Sequence, residues 1–101
     1  MQLVLEDGST WHFPNPSAIR NALAQVDGVN NSFLILDRDE THFMQAARDP
    51  GTDFVVEYRD GDGAHHYQAR GTLGFEAAAA LFEGYAAGSG DWRGAVEWTL
   101  I

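Results

Sequence analysis

The sequence contains no cysteine and no lysine, so its six strongly basic residues are all arginine. Without cysteine, neither a disulfide bond nor a thiolate metal site can form. No basic N-terminal region is present, and Glu6 and Asp7 interrupt the first apolar segment. We therefore expect neither a signal peptide nor a membrane span, and a cytoplasmic location is the simpler expectation.

The charge balance is strongly acidic. Fifteen Asp and Glu residues oppose six Arg residues, which gives a formal net charge of -9 at pH 7. Such a surface repels nucleic acid and anionic membranes, so neither is an expected partner. Two interpretations stay open: the charge keeps a small protein soluble, or it attracts a partner that is itself basic.

The length and composition are those of one folded domain. The chain has 101 residues, 45% of them hydrophobic. A chain of this length buries roughly 60–65% of its unfolded surface, which is enough for a core. No repeat or linker divides the sequence, so we predict a single domain over residues 1–101.

The first third of the chain has the pattern of a hairpin followed by a helix. Residues 2–5 and 10–13 are predicted strands around a turn containing Asp7-Gly8, a pair that favours tight hairpins. Asn15-Pro16 predicts a helix start, because Asn caps a helix and Pro suits its first position. Apolar residues then recur at helical spacing up to Gly28: Ile19, Ala22, Leu23 and Val26.

Period-two patterns dominate the middle of the chain. They predict strands over residues 32–36, 41–47, 53–59 and 65–70, with His65, Tyr67 and Ala69 on one face of the last. A second helix is predicted over residues 73–87, with Thr72 as its cap.

The C-terminal residues predict a final strand. Val96, Trp98 and Leu100 alternate with more polar residues, which indicates one buried face. The whole pattern predicts an α+β fold: a mainly antiparallel sheet of five to seven strands, including this C-terminal strand, with two helices packed on one face.

The sequence contains no strong catalytic or metal-binding motif. His65 and His66 with Asp60 and Asp62 contain metal-binding residue types, but neighbouring strand residues point to opposite faces. The same acidic turn lacks the remaining ligands of a calcium loop. No Cys nucleophile, no Ser near a His and an acid, and no phosphate-binding loop is present. We predict a protein that is not an enzyme and needs neither cofactor nor metal.

Acidic turns are the best candidates for a binding surface. If alternate hairpin ends converge, their carboxylates form one negative patch that binds Arg and Lys of a partner; the alternative is a set of solvated turns. Trp92, in the loop after the second helix, either closes over the core or serves as an exposed aromatic anchor. The candidate partner-binding residues are Asp37, Asp39, Glu40, Glu57, Asp60, Asp62 and Trp92.

Four segments carry a family resemblance: NSFLILDRDETHFMQAA, FVVEYRDG, TLGFEAAAALFEGYAAG and VEW. From about Asn31 onward the chain resembles small immunity proteins of bacterial polymorphic-toxin and contact-dependent inhibition systems. The resemblance implies a cognate protein toxin as partner, inhibition by tight one-to-one binding, and no catalysis. An acidic inhibitor would then cover the basic substrate cleft of a nuclease-like toxin and occlude its active site.

Two other classes of function stay open. One is a small ligand-binding protein or enzyme with a pocket between sheet and helices, lined by Tyr58, Tyr67 and His65. The other is a homo-oligomeric structural subunit, such as a homodimer, that assembles through an exposed sheet edge.

Overall fold

A computed structural model describes residues 1–49 and 53–101 of the chain. Among these residues, seven strands and two α-helices are present: β1 Gln2–Leu5, β2 Thr10–His12, α1 Pro16–Ala24, β3 Phe33–Asp37, β4 His42–Arg48, β5 Phe54–Asp60, β6 His66–Ala69, α2 Phe75–Ala87 and β7 Trp98–Leu100. Short 3-10 helices cover Gly63–His65 and Asp91–Gly94. Neither described α-helix has the length and apolar character needed to cross a membrane.

The strands form one antiparallel sheet in the order β2-β1-β3-β4-β5-β6-β7. From β3 to β6, strands that are consecutive in sequence are also neighbours in the sheet, as short hairpin connections require. Helix α1 connects β2 to β3, and α2 connects β6 to β7. The two helices contact each other and pack against the sheet. The predicted α+β fold is confirmed.

One face of the sheet supplies half of the core. Leu36, Met44 and Tyr58 are paired in register across β3, β4 and β5, so their side chains point to the same side. Residues two positions away on each strand, such as Ala46 and Val56, extend this buried face. Full burial of each large apolar side chain contributes about 1.5–3 kcal/mol to the stability of the fold.

The first helix begins as predicted. The Asn15 side chain accepts a hydrogen bond from the Ala18 backbone N–H at 2.8 Å, and Pro16 occupies the first helical position. Its apolar positions are fully buried in the core, together with residues of α2 and the sheet: Ile19, Ala22 and Leu23. The helix ends at Ala24, before the predicted stop at Gly28.

The predicted start of the second helix is wrong. Gly74 is the capping residue, and the Thr72 hydroxyl donates instead to Asp53 Oδ2 at 3.2 Å. Leu73 is held extended by two backbone hydrogen bonds to Phe54, of 2.8 and 2.9 Å. This pairing with β5 is a tertiary contact, so the local pattern around Thr72 does not reveal it.

The C-terminal strand lies in the sheet as predicted, at its edge. Trp98 is half-buried, and its indole N–H donates to the Arg93 carbonyl at 3.1 Å. Leu100, predicted on the buried face, is 57% exposed. An edge strand has a neighbour on one side only, so the alternating pattern overestimates burial there.

Replacing Phe82 tests the position of the core. Phe82 is fully buried on α2. We expect Phe82→Ala to lower the free energy of unfolding by about 3–5 kcal/mol, because it leaves a cavity. Urea unfolding followed by fluorescence measures the change. Phe13→Ala is the matched control: Phe13 is 84% exposed, so its change should stay within about 0.5 kcal/mol. Equal losses in both variants would contradict the core described above.

Candidate functional site

The turn between β3 and β4 and the turn between β5 and β6 lie at the same end of the sheet. Asp60 at the end of β5 is paired with His42 at the start of β4, and the Gly61 N–H donates to the Thr41 carbonyl at 3.0 Å. We call residues 37–42 and 60–65 the turn end. It brings together five of the six predicted acidic residues: Asp37, Asp39, Glu40, Asp60 and Asp62.

Asp39 is held rigidly within its own turn. Its Oδ1 accepts from the backbone N–H groups of Thr41 and His42, at 2.8 and 2.9 Å, and lies 3.0 Å from His42 Nδ1. The hydrogen bond from His42, followed by those from Thr41, lowers the pKa of Asp39 from 3.8 to about 2. This carboxylate therefore stays charged throughout the physiological pH range.

Asp62 organises the second turn in the same way. It accepts from the Ala64 N–H at 2.9 Å and lies 2.8 Å from His65 Nδ1, a contact that lowers the pKa of Asp62. His65 belongs to this 3-10 turn, so the prediction that it lies on a strand face with Tyr67 is wrong. Among the described residues, no group of three or more His and acidic residues could hold a metal ion.

Asp60 connects the turn end to the segment after α2. Its Oδ2 accepts from Arg93 Nη2 at 3.3 Å, and its Oδ1 lies 3.7 Å from His42 Nε2. Part of its charge is therefore already compensated within the protein.

The side chains of Asp37 and Glu40 make no hydrogen bond or ion pair with any described residue. Glu40 is exposed in the turn, and Asp37 is half-buried at the end of β3. These two carboxylates are therefore the ones most available to a partner's basic side chains.

Glu57 lies apart from the other predicted acidic residues. It is on the sheet face opposite the helices, where its Oε1 is 2.7 Å from His66 Nε2. Arg59 Nε donates to His66 Nδ1 at 3.2 Å, so Nδ1 is the acceptor and the imidazole proton lies on Nε2. Only 23% of the Glu57 side chain is exposed, and its Oε1 is directed to His66.

Trp92 closes over the core. It is 5% exposed, and its ring makes edge contacts with Tyr58 at 4.8 Å and Tyr85 at 5.4 Å. Gly84 on α2 makes room for it, because a Cβ there would lie 3.1 Å from Trp92 Cβ. The ring is not available on the surface, which corrects the interpretation of Trp92 as an exposed aromatic anchor.

A cavity of about 310 Å³ opens beside the turn end, between the sheet and the end of α2. Its lining includes Arg38, His42, Tyr58, Asp60, Tyr85 and Arg93. Of the three residues that the sequence predicts for a pocket between sheet and helices, Tyr58 lines this cavity. Tyr67, which stacks on Tyr58 at 4.9 Å, and His65 are not part of the lining.

Sequence reasoning did not single out the arginines of this cavity. Arg38 donates to the Tyr85 carbonyl at 3.1 Å and lies over the Tyr85 ring, so it compensates the negative end of the α2 dipole. Arg93 packs over Trp92 while it pairs with Asp60. The sequence signal for Arg38 is its position between two acidic residues, in Asp37-Arg38-Asp39. Burial raises the pKa values of Tyr58 and Tyr85, so both hydroxyls are protonated at neutral pH.

Comparisons with protein families, with curated proteins and with solved structures found no match to this chain.

The low pKa of Asp39 predicts a pH-dependent contribution to stability. A folded pKa of about 2, below the ordinary value of 3.8, means that the charged form stabilises the fold above about pH 4. This contribution is lost as the pH falls towards about 2. We expect Asp39→Asn to be less stable than the unmodified protein near neutral pH, and the difference to shrink on acidification. Urea unfolding of both proteins, from neutral pH down to about pH 2, measures this difference in unfolding free energy.

The control for that experiment is Glu40→Gln in the same turn. The Glu40 side chain has no hydrogen bond or ion pair with a described residue to lose, so we expect its variant to follow the unmodified protein at each pH. Carboxyl NMR should place the Asp39 titration near pH 2. A midpoint at 3.8 or above would contradict the described turn geometry.

Removing the Trp92 ring tests whether it closes the core. We expect Trp92→Ala to cost roughly 3–5 kcal/mol of unfolding free energy, because three aromatic neighbours lose their contacts. Chemical denaturation measures the loss. Asp91→Ala, at an exposed neighbouring position, should change stability by less than about 0.5 kcal/mol. If Trp92→Ala loses less than about 1 kcal/mol of unfolding free energy, the Trp92 ring does not close the core as described.

Proposed function

We propose that this protein is an immunity-type binding protein, which neutralises a cognate protein toxin by docking through the turn end and occluding the toxin's active site. The observation that carries the proposal is the convergence of two acidic turns at one end of a protein of net charge -9. The partner surface is basic, as in the substrate cleft of a nuclease-like toxin. Neutralisation by occlusion needs neither catalysis nor a cofactor.

The charge of the turn end supports a basic partner. Five carboxylates lie there, whereas the guanidinium groups of Arg38 and Arg93 are tied to the end of α2 and to Asp60. Even when both histidines are counted as cations, the five carboxylates outnumber the three basic side chains of the turn end, Arg38, His42 and His65, so the surface stays net negative. Such a surface accelerates encounter with a basic protein and disfavours acidic competitors.

The rigidity of the turn end supports tight binding. Asp39 accepts two backbone hydrogen bonds, Asp62 caps a 3-10 turn, and a backbone hydrogen bond joins the two turns through Gly61 and Thr41. Little conformational entropy is then lost on docking, which leaves more of the interaction energy as affinity. Asp37 and Glu40 have free hydrogen-bonding capacity for the arginine and lysine side chains of the partner.

In this proposal the protein acts in the cytoplasm, where a nuclease-like toxin would reach its substrate. The complex is one-to-one, because a single molecule presents one turn end.

The cavity beside the turn end favours a second candidate function, the binding of a small molecule. Its volume of about 310 Å³ is at the lower limit of ordinary ligand pockets, which run from about 300 to 1,000 Å³. Aromatic walls from Tyr58 and Tyr85 and the unused N–H groups of Arg38 could orient a small planar ligand. Native mass spectrometry of the purified protein distinguishes the candidates, since a retained metabolite would favour this one.

The leading proposal is tested by co-purification with the product of the neighbouring gene, at about 50 mM and about 500 mM salt. We expect a one-to-one complex at low salt. At high salt it should associate more slowly, because the ions screen the electrostatic attraction between the acidic turn end and the basic partner. Failure to bind at low salt would refute the proposal for that partner.

Charge reversal at the two free carboxylates tests the docking surface. We expect Asp37→Lys with Glu40→Lys to slow association with that toxin roughly tenfold at low salt, with little effect on folding. Stopped-flow or surface-binding kinetics measure the rate. The control is Glu76→Lys with Glu97→Lys, which changes the net charge by the same amount at side chains that are 77% and 76% exposed and lie outside the turn end. Equal slowing by the control would show that net charge, and not the turn end, guides the encounter.

A further inference from the structure

Strand β7 ends the sheet with apolar side chains on an open edge. Leu100 is 57% and Ile101 is 59% exposed, and they are two of the four exposed large hydrophobic residues in the described chain. No proline or charged residue interrupts Trp98–Leu100, although such residues are the usual protection of an edge strand.

The hydrogen-bond pattern shows which backbone groups of this edge are free. The Ile101 N–H donates to the His66 carbonyl at 3.0 Å, and the Arg70 N–H donates to the Glu97 carbonyl at 2.9 Å. In an antiparallel pair, alternate residues direct both backbone groups towards the neighbouring strand. Glu97, Thr99 and Ile101 therefore face β6, whereas the N–H and C=O groups of Trp98 and Leu100 point outward.

This pattern is self-complementary. When a second β7 runs antiparallel with Thr99 opposite Thr99, Trp98 of each copy lies opposite Leu100 of the other. These are the residues with outward backbone groups, so four hydrogen bonds form across a twofold axis. Trp98 and Leu100 also share one face of the sheet, two residues apart, so the exposed Leu100 packs against the half-buried Trp98 ring of the other copy.

The other edge of the sheet lacks these properties. In β2 the outward backbone groups belong to Thr10 and His12, because Phe13 bonds Met1 and Leu5 bonds Ser9. The Thr10 and His12 side chains are polar and exposed, so their pairing would bury no apolar surface. Beyond them, Phe13 adopts a positive φ of 50° and Pro14 has no N–H, so the strand cannot extend.

We propose that β7 is a homodimerisation edge: two copies of this chain pair antiparallel about Thr99 and join their sheets into one of fourteen strands, twice the seven of one copy. The edge is only three residues long, and such small contact areas belong to weak, transient interfaces. Each copy carries a charge of -9, so repulsion opposes association and added salt strengthens it. This salt dependence is opposite to that of the toxin complex, and the dimer does not rest on that proposal.

The direct test is amide hydrogen exchange, measured by NMR at protein concentrations from about 10 µM to about 1 mM. We expect exchange at Trp98 and Leu100 to slow at least about threefold over this range, while Thr99, already paired with β6, does not change. Light scattering over the same range should show an average mass that rises towards that of a dimer and rises further with salt. A monomer at every concentration, or equal protection of all three amides, would overturn the proposal.

Matched variants locate the interface. Leu100→Lys places a charge on the edge at an exposed position, so we expect it to fold normally and to remain monomeric. Val29→Lys makes the same change at a residue that is 80% exposed in the loop before β3, and it should dimerise like the unmodified protein. Phe13→Lys at the end of β2 should also leave the dimer intact. If Leu100→Lys still dimerises, or if Phe13→Lys abolishes association, the twofold pairing of β7 is wrong.

Discussion

The antiparallel pairing of β4 with β5 is the constraint on which the core and the turn end both depend. Seven residue pairs run from His42–Asp60 to Arg48–Phe54, the longest register in the sheet. This register sets Met44 and Tyr58 on the helix side and fixes His42 against Asp60 at the turn end. A shift by one residue would expose the buried side chains and separate the acidic turns, so burial of the core also maintains the geometry of the turn end.

Compensation of negative charge is the second organising feature. The chain has no lysine, so its cations are the six arginines and, when protonated, the four histidines. Arginine stacks on aromatic rings while it donates hydrogen bonds, and both Arg38 and Arg93 do so around the cavity. Histidine contacts hold the carboxylates of Asp39 and Asp62 in place. The turn end thus combines rigid geometry with surplus negative charge.

An aromatic cluster attaches the last part of the chain to the sheet. Tyr58 on β5 contacts Tyr67, Trp92 and Trp98, which come from β6, the 3-10 turn and β7. These contacts bury Trp92 within the loop after α2 and hold the edge strand against the sheet. The tryptophans near the C-terminal end of the chain therefore pack into or against the core, and the large apolar side chains that remain exposed at this edge are those of Leu100 and Ile101.

Local pattern in the sequence determined the strands, both helices, the Asn15 cap and the α+β class, because side-chain periodicity and capping act over a few residues. It left the convergence of the acidic turns open, beside the alternative of separate solvated turns. Only the tertiary structure decided that Trp92 is buried, that Glu57 bonds His66 away from the turn end, and that Leu100 lies on an open edge. The physical reason is that burial and ion pairing depend on contacts between segments far apart in sequence, which local periodicity does not specify.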